Sequence, residues 1–418
     1  QLAGKGYVDL AAYVMGHFID DIPATELRSI IERSYETFDN SAVTPLVEVG
    51  DIHVLELFHG PTLAFKDVAL QFLGNVFEYV LNKQGGRLNI LGATSGDTGS
   101  AAIAGVRGKQ NINIFIMFPE GRTSALQEKQ MTTVLDDNVQ NLAIEGSFDD
   151  CQSILKSIFN DLAFKDGYNL GAVNSVNWAR ILAQVVYYFS AYVQLGLPER
   201  FQVAVPTGNF GNIFAGYIAR RMGLPIETLI LATNQNDILH RFFTTGRYER
   251  GNVHFSHSPA MDIQVASNFE RYLYFEFGQA PEKVKEFMED FSSTGLATTA
   301  FNTLNFDAAF TSGRVSDEDT VATIARTFEE TEYLLDPHTA VGVGVGQVKR
   351  RPEVPLVCLA TAHPSKFDEV IRQAIPNIEV SHPSLEILKD LPERKTLLEG
   401  EVDVVKDFIS TFNDQLAS

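Results

Sequence analysis

Apolar residues in this chain fall into two alternating kinds of run. Short runs, apolar almost throughout, occur at Leu88–Ala93, Ile112–Phe118, Val139–Glu145, Gln202–Val205, Thr228–Ala232 and Leu356–Ala360. Runs of this length predict strands buried on both faces of a parallel sheet. Between them, apolar positions recur at helical spacing over Asp67–Lys83, Thr98–Arg107, Ser124–Leu135, Asp149–Phe164, Trp178–Leu195 and Phe210–Met222. The first 40 residues also predict mostly helix, with Leu10, Tyr13 and Val14, then Leu27, Ile30 and Ile31, on common faces. The less regular stretch Arg241–Asp262, with Gly, Pro and His, predicts a loop, and the acidic stretch from Leu385 predicts surface helix. Strand–helix alternation of this kind predicts an α/β doubly wound fold. Such folds bind ligands at the carboxyl ends of strands, beside helix N-termini. The chain shows no internal repeat and no low-complexity segment.

A length of 418 residues exceeds one simple core and predicts two domains. The balance of 45% hydrophobic and 21% charged residues is that of a globular protein. A net charge of −20 argues against a nucleic-acid or anionic-membrane partner, yet a few local donors suffice for a small anionic substrate. Two cysteines, Cys151 and Cys358, cannot build a disulfide framework and predict a reducing compartment, the cytoplasm. No apolar run of about 18 residues predicts a membrane span, and no signal peptide is visible. The chain starts at Gln1 rather than methionine, so an upstream segment is expected to be missing.

Five junctions carry candidate chemistry. In His59-Gly60-Pro61-Thr62-Leu63-Ala64-Phe65-Lys66-Asp67, a lysine follows a Gly-Pro turn at the start of a periodic helix, among apolar neighbours. An ε-amine held in such surroundings is available as a nucleophile, which suggests a lysine that forms a Schiff base. Taken alone, the pattern reads first as a surface lysine capping a helix. The junction Pro206-Thr207-Gly208-Asn209-Phe210-Gly211-Asn212 offers backbone N–H groups at a helix start, suited to a phosphate or simply to a sharp turn. The junction Gly92–Ser100 presents Thr94, Ser95, Asp97 and Thr98, either for an anion or as helix caps. Asn174-Ser175-Val176-Asn177-Trp178-Ala179-Arg180 crowds two amides, a hydroxyl and a guanidinium at a helix start. Finally, Leu359-Ala360-Thr361-Ala362-His363-Pro364 ends a strand in a hydroxyl that could bond a ring nitrogen or its own turn. Gly342, Gly344 and Gly346 do not follow a clear strand, so they make a poor nucleotide site. The nine histidines lack metal-ligand spacing, so no catalytic metal is predicted. No Gly-x-Ser-x-Gly elbow occurs, and His59 and His338 read as structural.

Lysine after a short turn, Ser-Gly-Asp-Thr-Gly, Gly-Asn-Phe-Gly-Asn and a late strand-end threonine occur in that order. Together with Pro119–Met131, Asn174–Arg180, Met261–Arg271 and Leu359–Phe367, this set resembles the fold-type-II pyridoxal-phosphate enzymes, and in wording the threonine synthases among them. The resemblance covers most of the chain from about Thr44. It implies two doubly wound α/β domains with the cofactor in the cleft between them, plus a mostly helical N-terminal segment. The boundaries it implies are residues 1–43 for that segment, 44–65 with 176–418 for a large phosphate-binding domain, and 66–175 for a smaller substrate-loop domain. Members of the family usually begin with a Ser/Thr-Arg-Gly turn and an Asp-Gly-Gly-Leu stretch; neither is present here, so that part is expected to be missing.

The resemblance also implies residue roles. Lys66 would carry pyridoxal 5′-phosphate and act as the catalytic base. Gly208, Asn209, Phe210, Gly211 and Asn212 would hold the cofactor phosphate, and Thr361 would face the pyridine nitrogen. Thr94, Ser95, Asp97, Thr98, Asn174, Ser175 and Arg180 would bind the substrate. The implied reaction converts O-phospho-L-homoserine and water to L-threonine and phosphate, by γ-elimination and β-addition of water, in a monomer or homodimer. Its need to exclude stray water predicts domain closure. The alternatives are a phospholyase or dehydratase releasing 2-oxobutanoate, and a non-catalytic cofactor-binding protein.

Overall fold

A computed structural model describes residues 2–299 and 309–417. The chain divides into two units. The larger comprises Gln1–Ala24, Asp39–His59 and Trp178–Val380; the smaller comprises Thr25–Phe38, Gly60–Asn177 and Ser381–Ser418.

The larger unit is built on a six-stranded sheet in the order Leu46–Val49, Ile52–Glu56, Leu356–Ala360, Phe201–Pro206, Ile226–Thr233, Phe310–Arg314. The first two strands form an antiparallel hairpin, with Val49 paired to Ile52 across Gly50-Asp51; the other neighbours run parallel. Both faces of the central strands are covered. On one side Leu229 lies against the helix Gly211–Arg221, where a Cβ on Gly216 would sit 2.9 Å from its Cδ2. On the other, Ala204, Ile230, Leu356 and Cys358 pack with Val341 and Val345 of the helix Pro337–Lys349. The glycine run belongs to that helix. A Cβ on Gly346 would lie 2.9 Å from that of Ala204, so the run serves close helix–sheet packing. The first helix, Tyr7–Met15, joins this unit, and Phe18 meets Trp178 edge-on at 5.7 Å.

The smaller unit holds a five-stranded, wholly parallel sheet in the order Thr396–Glu399, Val139–Glu145, Ile112–Pro119, Leu88–Ala93, Leu170–Gly171. One core joins Leu91, Phe115, Met117, Leu142 and Ile144 to Ile154 and Ile158 of the helix Phe148–Asn160, and to Val405 and Ile409 of the helix Val402–Ala417.

Several expectations change. Residues 381–418 were expected in the larger domain, but Thr396–Glu399 pairs with Val139–Glu145 and the last helix fills the smaller unit's core. The N-terminal segment is not a separate body. Its second helix, Ala24–Tyr35, is tied into the smaller unit by Asn75 Nδ2 to Ser34 Oγ (3.0 Å) and Tyr35 OH to the Val68 carbonyl (3.2 Å). The expected loop over Arg241–Asp262 begins as helix, Ile238–Thr245, because Ile238, Leu239 and Phe242 share a buried face. It continues as the strand Arg247–Glu249, paired antiparallel with Leu296–Thr298. The expected helix Asp149–Phe164 breaks at Asp161, whose carboxylate accepts from the Phe164 N–H (3.1 Å) and starts a new helix.

Candidate active site

The predicted site residues fall into two groups, each organised within its own unit. In the smaller unit, Lys66 is the first residue of the helix Lys66–Gln84 and is half-buried. The turn before it is rigid. Leu63 takes the left-handed conformation (φ 59°), and Asp67 accepts from both the N–H and the hydroxyl of Thr62 at 2.8 Å. Glycine is required at position 60, since a Cβ there would lie 2.4 Å from that of Asp67.

The strand Leu88–Ala93 leads through the Gly92–Ser100 junction into the helix Asp97–Val106. Thr94 is buried there, and its hydroxyl accepts from the N–H groups of Gly96 (3.0 Å) and Gly99 (2.9 Å) while donating to the Gly96 carbonyl (3.1 Å). One donor and two acceptors exhaust a hydroxyl. Thr94 therefore shapes the loop that carries Ser95, Asp97 and Thr98. Ser95 is exposed and Thr98 half-buried. Asp97 accepts from Gln127 Nε2 at 2.9 Å. The helix Ala125–Thr132 brings this loop and the lysine turn together, because Gln130, one turn beyond Gln127, donates to the Thr62 carbonyl at 3.1 Å. Asn174 is exposed and Ser175 half-buried.

In the larger unit, the strand Phe201–Pro206 leads through Thr207–Phe210 into the helix Gly211–Arg221. Phe210 precedes the helix in the left-handed conformation (φ 64°), with its ring fixed against Phe269 (5.4 Å) and Tyr272 (5.6 Å). Its side chain is thus committed to packing, which leaves only its backbone available to a ligand. The Asn209 carbonyl accepts from the N–H and Nδ2 of Asn268, at 3.0 and 3.2 Å. A Cβ on Gly208 would stand 2.7 Å from the Ala260 carbonyl, so no side chain fits there.

Asn212 is buried, and its Oδ1 accepts from the hydroxyl of Tyr187, with Tyr188 OH at 3.1 Å. Burial pushes both phenols well above the ordinary tyrosine value, so each keeps its hydrogen. The Asn212 Nδ2 has no hydrogen-bond partner among the described residues. The helix that starts here carries no side-chain cap and no acidic residue in its first turn. A buried, unsatisfied donor is costly, and an uncapped helix start favours an anion. This arrangement fits a phosphate.

Arg180 lies at the start of the helix Trp178–Gln194, which also carries Tyr187 and Tyr188. It is 4% exposed, and burial lowers its pKa to about 10. Its neighbour Ile181 would sit 3.4 Å from a Cβ on Gly211, which brings the arginine's helix onto the loop. Thr361 follows the strand Leu356–Ala360, is buried, and donates its N–H to Thr339 Oγ1 (3.3 Å). The residues that sequence reading passed over are Asp67, Gln127, Gln130, Tyr187 and Asn268. Gln127, Gln130 and Asn268 lie in segments that carry the family resemblance, and that placement was the available signal.

The chain matches the family of pyridoxal-phosphate dependent enzymes over residues 39–355 and the threonine synthase C-terminal family over residues 339–409. It is 50% identical to threonine synthase of Pseudomonas aeruginosa over 413 residues, 97% of this chain and 88% of that protein. The crystal structure of pyridoxal-phosphate-bound threonine synthase from Brucella melitensis aligns with a TM-score of 0.95 at 47% identity, covering 98% of this chain and 89% of that one. The yeast threonine synthase structure aligns with a TM-score of 0.93 at 44% identity, covering 99% and 89%. Fold and loops are those of a pyridoxal-phosphate dependent enzyme. Within that class, the chain belongs to the threonine synthase family.

Proposed function

We propose that this protein converts O-phospho-L-homoserine and water to L-threonine and phosphate, with pyridoxal 5′-phosphate as its cofactor. The observation that carries the reading is the buried, unpartnered Asn212 Nδ2 at an uncapped helix start, in a chain of the threonine synthase family. When bound, the cofactor supplies an electron sink that makes the substrate's Cα and Cβ protons acidic. Lys66 would hold the cofactor covalently, and its Nζ, when free, would accept the substrate's Cα proton. The N–H groups of residues 208–212 and Asn212 Nδ2 would hold the cofactor phosphate. Thr361 would offer the ring nitrogen a neutral hydroxyl, which would not force that nitrogen to be protonated.

Ser95, Thr98, Asn174, Ser175 and Arg180 bind the substrate's carboxylate and phosphate. Arg180, titrating at about 10, is still cationic at neutral pH, and its planar fork suits either anion. Asp97 would repel an anion and acts by holding Gln127. No described helix is long and apolar enough to cross a membrane. Both cysteines are buried free thiols, which supports the cytoplasm as the working compartment.

Borohydride reduction of the cofactor-loaded protein, followed by peptide mapping, tests the Lys66 assignment. The label is expected on Lys66, and a label on any other lysine would overturn the assignment.

A further inference from the structure

Asp336, His338 and Thr339 make a buried polar chain that the roles above do not use. Asp336 is 1% exposed and precedes the helix Pro337–Lys349. Its carboxylate accepts from the N–H groups of His338 (2.9 Å) and Thr339 (3.2 Å), from His338 Nδ1 (3.0 Å) and from the Thr339 hydroxyl. At its far side, His338 Nε2 accepts from the Ala260 N–H at 3.3 Å. A backbone N–H can only donate, so Nε2 is the unprotonated nitrogen and Nδ1 carries the hydrogen given to Asp336. That lone pair is occupied, which excludes His338 as a free general base.

The chain has two ends. Through His338 it fixes Ala260, whose carbonyl fills the space that a Cβ on Gly208 would take. Through Thr339, whose Oγ1 accepts from the Thr361 N–H at 3.3 Å, it fixes the residue at the end of the central strand. One carboxylate thus sets the wall behind the phosphate loop and the strand-end threonine. We propose that Asp336, acting through His338 and Thr339, is a positioning residue that holds Gly208 and Thr361 in register for one ligand. The proposal rests on the cofactor reading above. It adds that the phosphate-facing and ring-facing residues are set by a single buried group.

Titration of pyridoxal 5′-phosphate into apo-protein, followed by absorbance and with apo-protein thermal melting alongside, tests it. His338→Leu removes the acceptor for Ala260 and is expected to weaken cofactor binding roughly tenfold or more, as loss of a supporting partner does elsewhere. His338→Gln places an amide oxygen near the Nε2 position and is expected to recover most of that loss. Thr339→Val is expected to shift the bound cofactor's absorbance band with a smaller change in affinity. Native affinity in His338→Leu would overturn the proposal. So would equal losses in the Leu and Gln variants that track a lowered apo melting temperature, since those mark a merely structural role. If the wild type itself binds no cofactor, or Lys66→Ala leaves its absorbance band unchanged, the cofactor reading fails instead.

Discussion

The hydroxyl of Tyr187 donates to Oδ1 of Asn212, and that bond decides which way the asparagine's amide faces. With the oxygen engaged, Nδ2 is left as a buried donor at the start of the helix Gly211–Arg221. Tyr187→Phe removes the orienting donor while keeping the ring. Cofactor affinity is expected to fall about five- to tenfold, the value of a single hydrogen bond of roughly 1 kcal/mol. Fluorescence titration of the apo-protein checks this. An unchanged affinity would mean that the amide is oriented by other contacts.

Arg180 combines full burial with a pKa lowered by that burial. Removing a buried charge-assisted partner costs more than 2 kcal/mol in typical cases, or roughly thirtyfold in binding. Arg180→Ala is therefore expected to raise the substrate KM by about that factor while leaving the cofactor Kd within roughly twofold. Steady-state kinetics and cofactor titration on the same preparation separate the two. An equal loss in both would assign Arg180 to the cofactor.

His59 is clamped between two carboxylates, Asp39 at 2.6 Å and Glu56 at 2.8 Å. Burial disfavours its charge, but the bonds to Glu56 and Asp39 together outweigh burial and raise its pKa above the usual 6.5. The folded chain thus binds the His59 proton more tightly than the unfolded chain does. The resulting stability is fully present below about pH 6.5 and declines as pH rises through the higher folded value. Relative to His59→Gln, the wild type is expected to lose stability with rising pH across that window. Urea unfolding at a series of pH values reads this directly, and parallel pH profiles for the two proteins would contradict it.

The C-terminal helix is expected to be a structural part of the smaller unit rather than a surface appendage. Ile409 is fully buried beside Val405 and Ile154. Ile409→Ala should lower unfolding stability by about 2–5 kcal/mol, the range for removing a large core side chain. A change near zero in urea denaturation would place this helix outside the core.

Strands buried on both faces were the most legible part of the sequence. Leu88–Ala93, Val139–Glu145 and Leu356–Ala360 have the predicted boundaries, because an uninterrupted apolar run has few other stable settings. The hairpin Leu46–Val49 and Ile52–Glu56 was missed, since its residues alternate and include Glu48 and His53. Its Gly50-Asp51 turn was the readable signal. Thr396–Glu399 is four residues long at a sheet edge, and its pairing with Val139–Glu145 is a long-range fact that no local pattern encodes. The site follows the same division. Lys66 and the Gly208–Asn212 loop were visible as local turns at helix starts. The three hydrogen bonds that Thr94 closes on its own loop are a geometry that residue type does not reveal. Asp336 and His338 act on Ala260, far away in sequence, so only the folded chain exposes their connection.

Product analysis tests the central claim most directly. The cofactor-loaded protein is incubated with O-phospho-L-homoserine, and phosphate, threonine and 2-oxobutanoate are measured in the same sample. Phosphate and threonine should appear in equal amounts, and Lys66→Ala should produce neither. Phosphate accompanied by 2-oxobutanoate in place of threonine would contradict the proposed reaction.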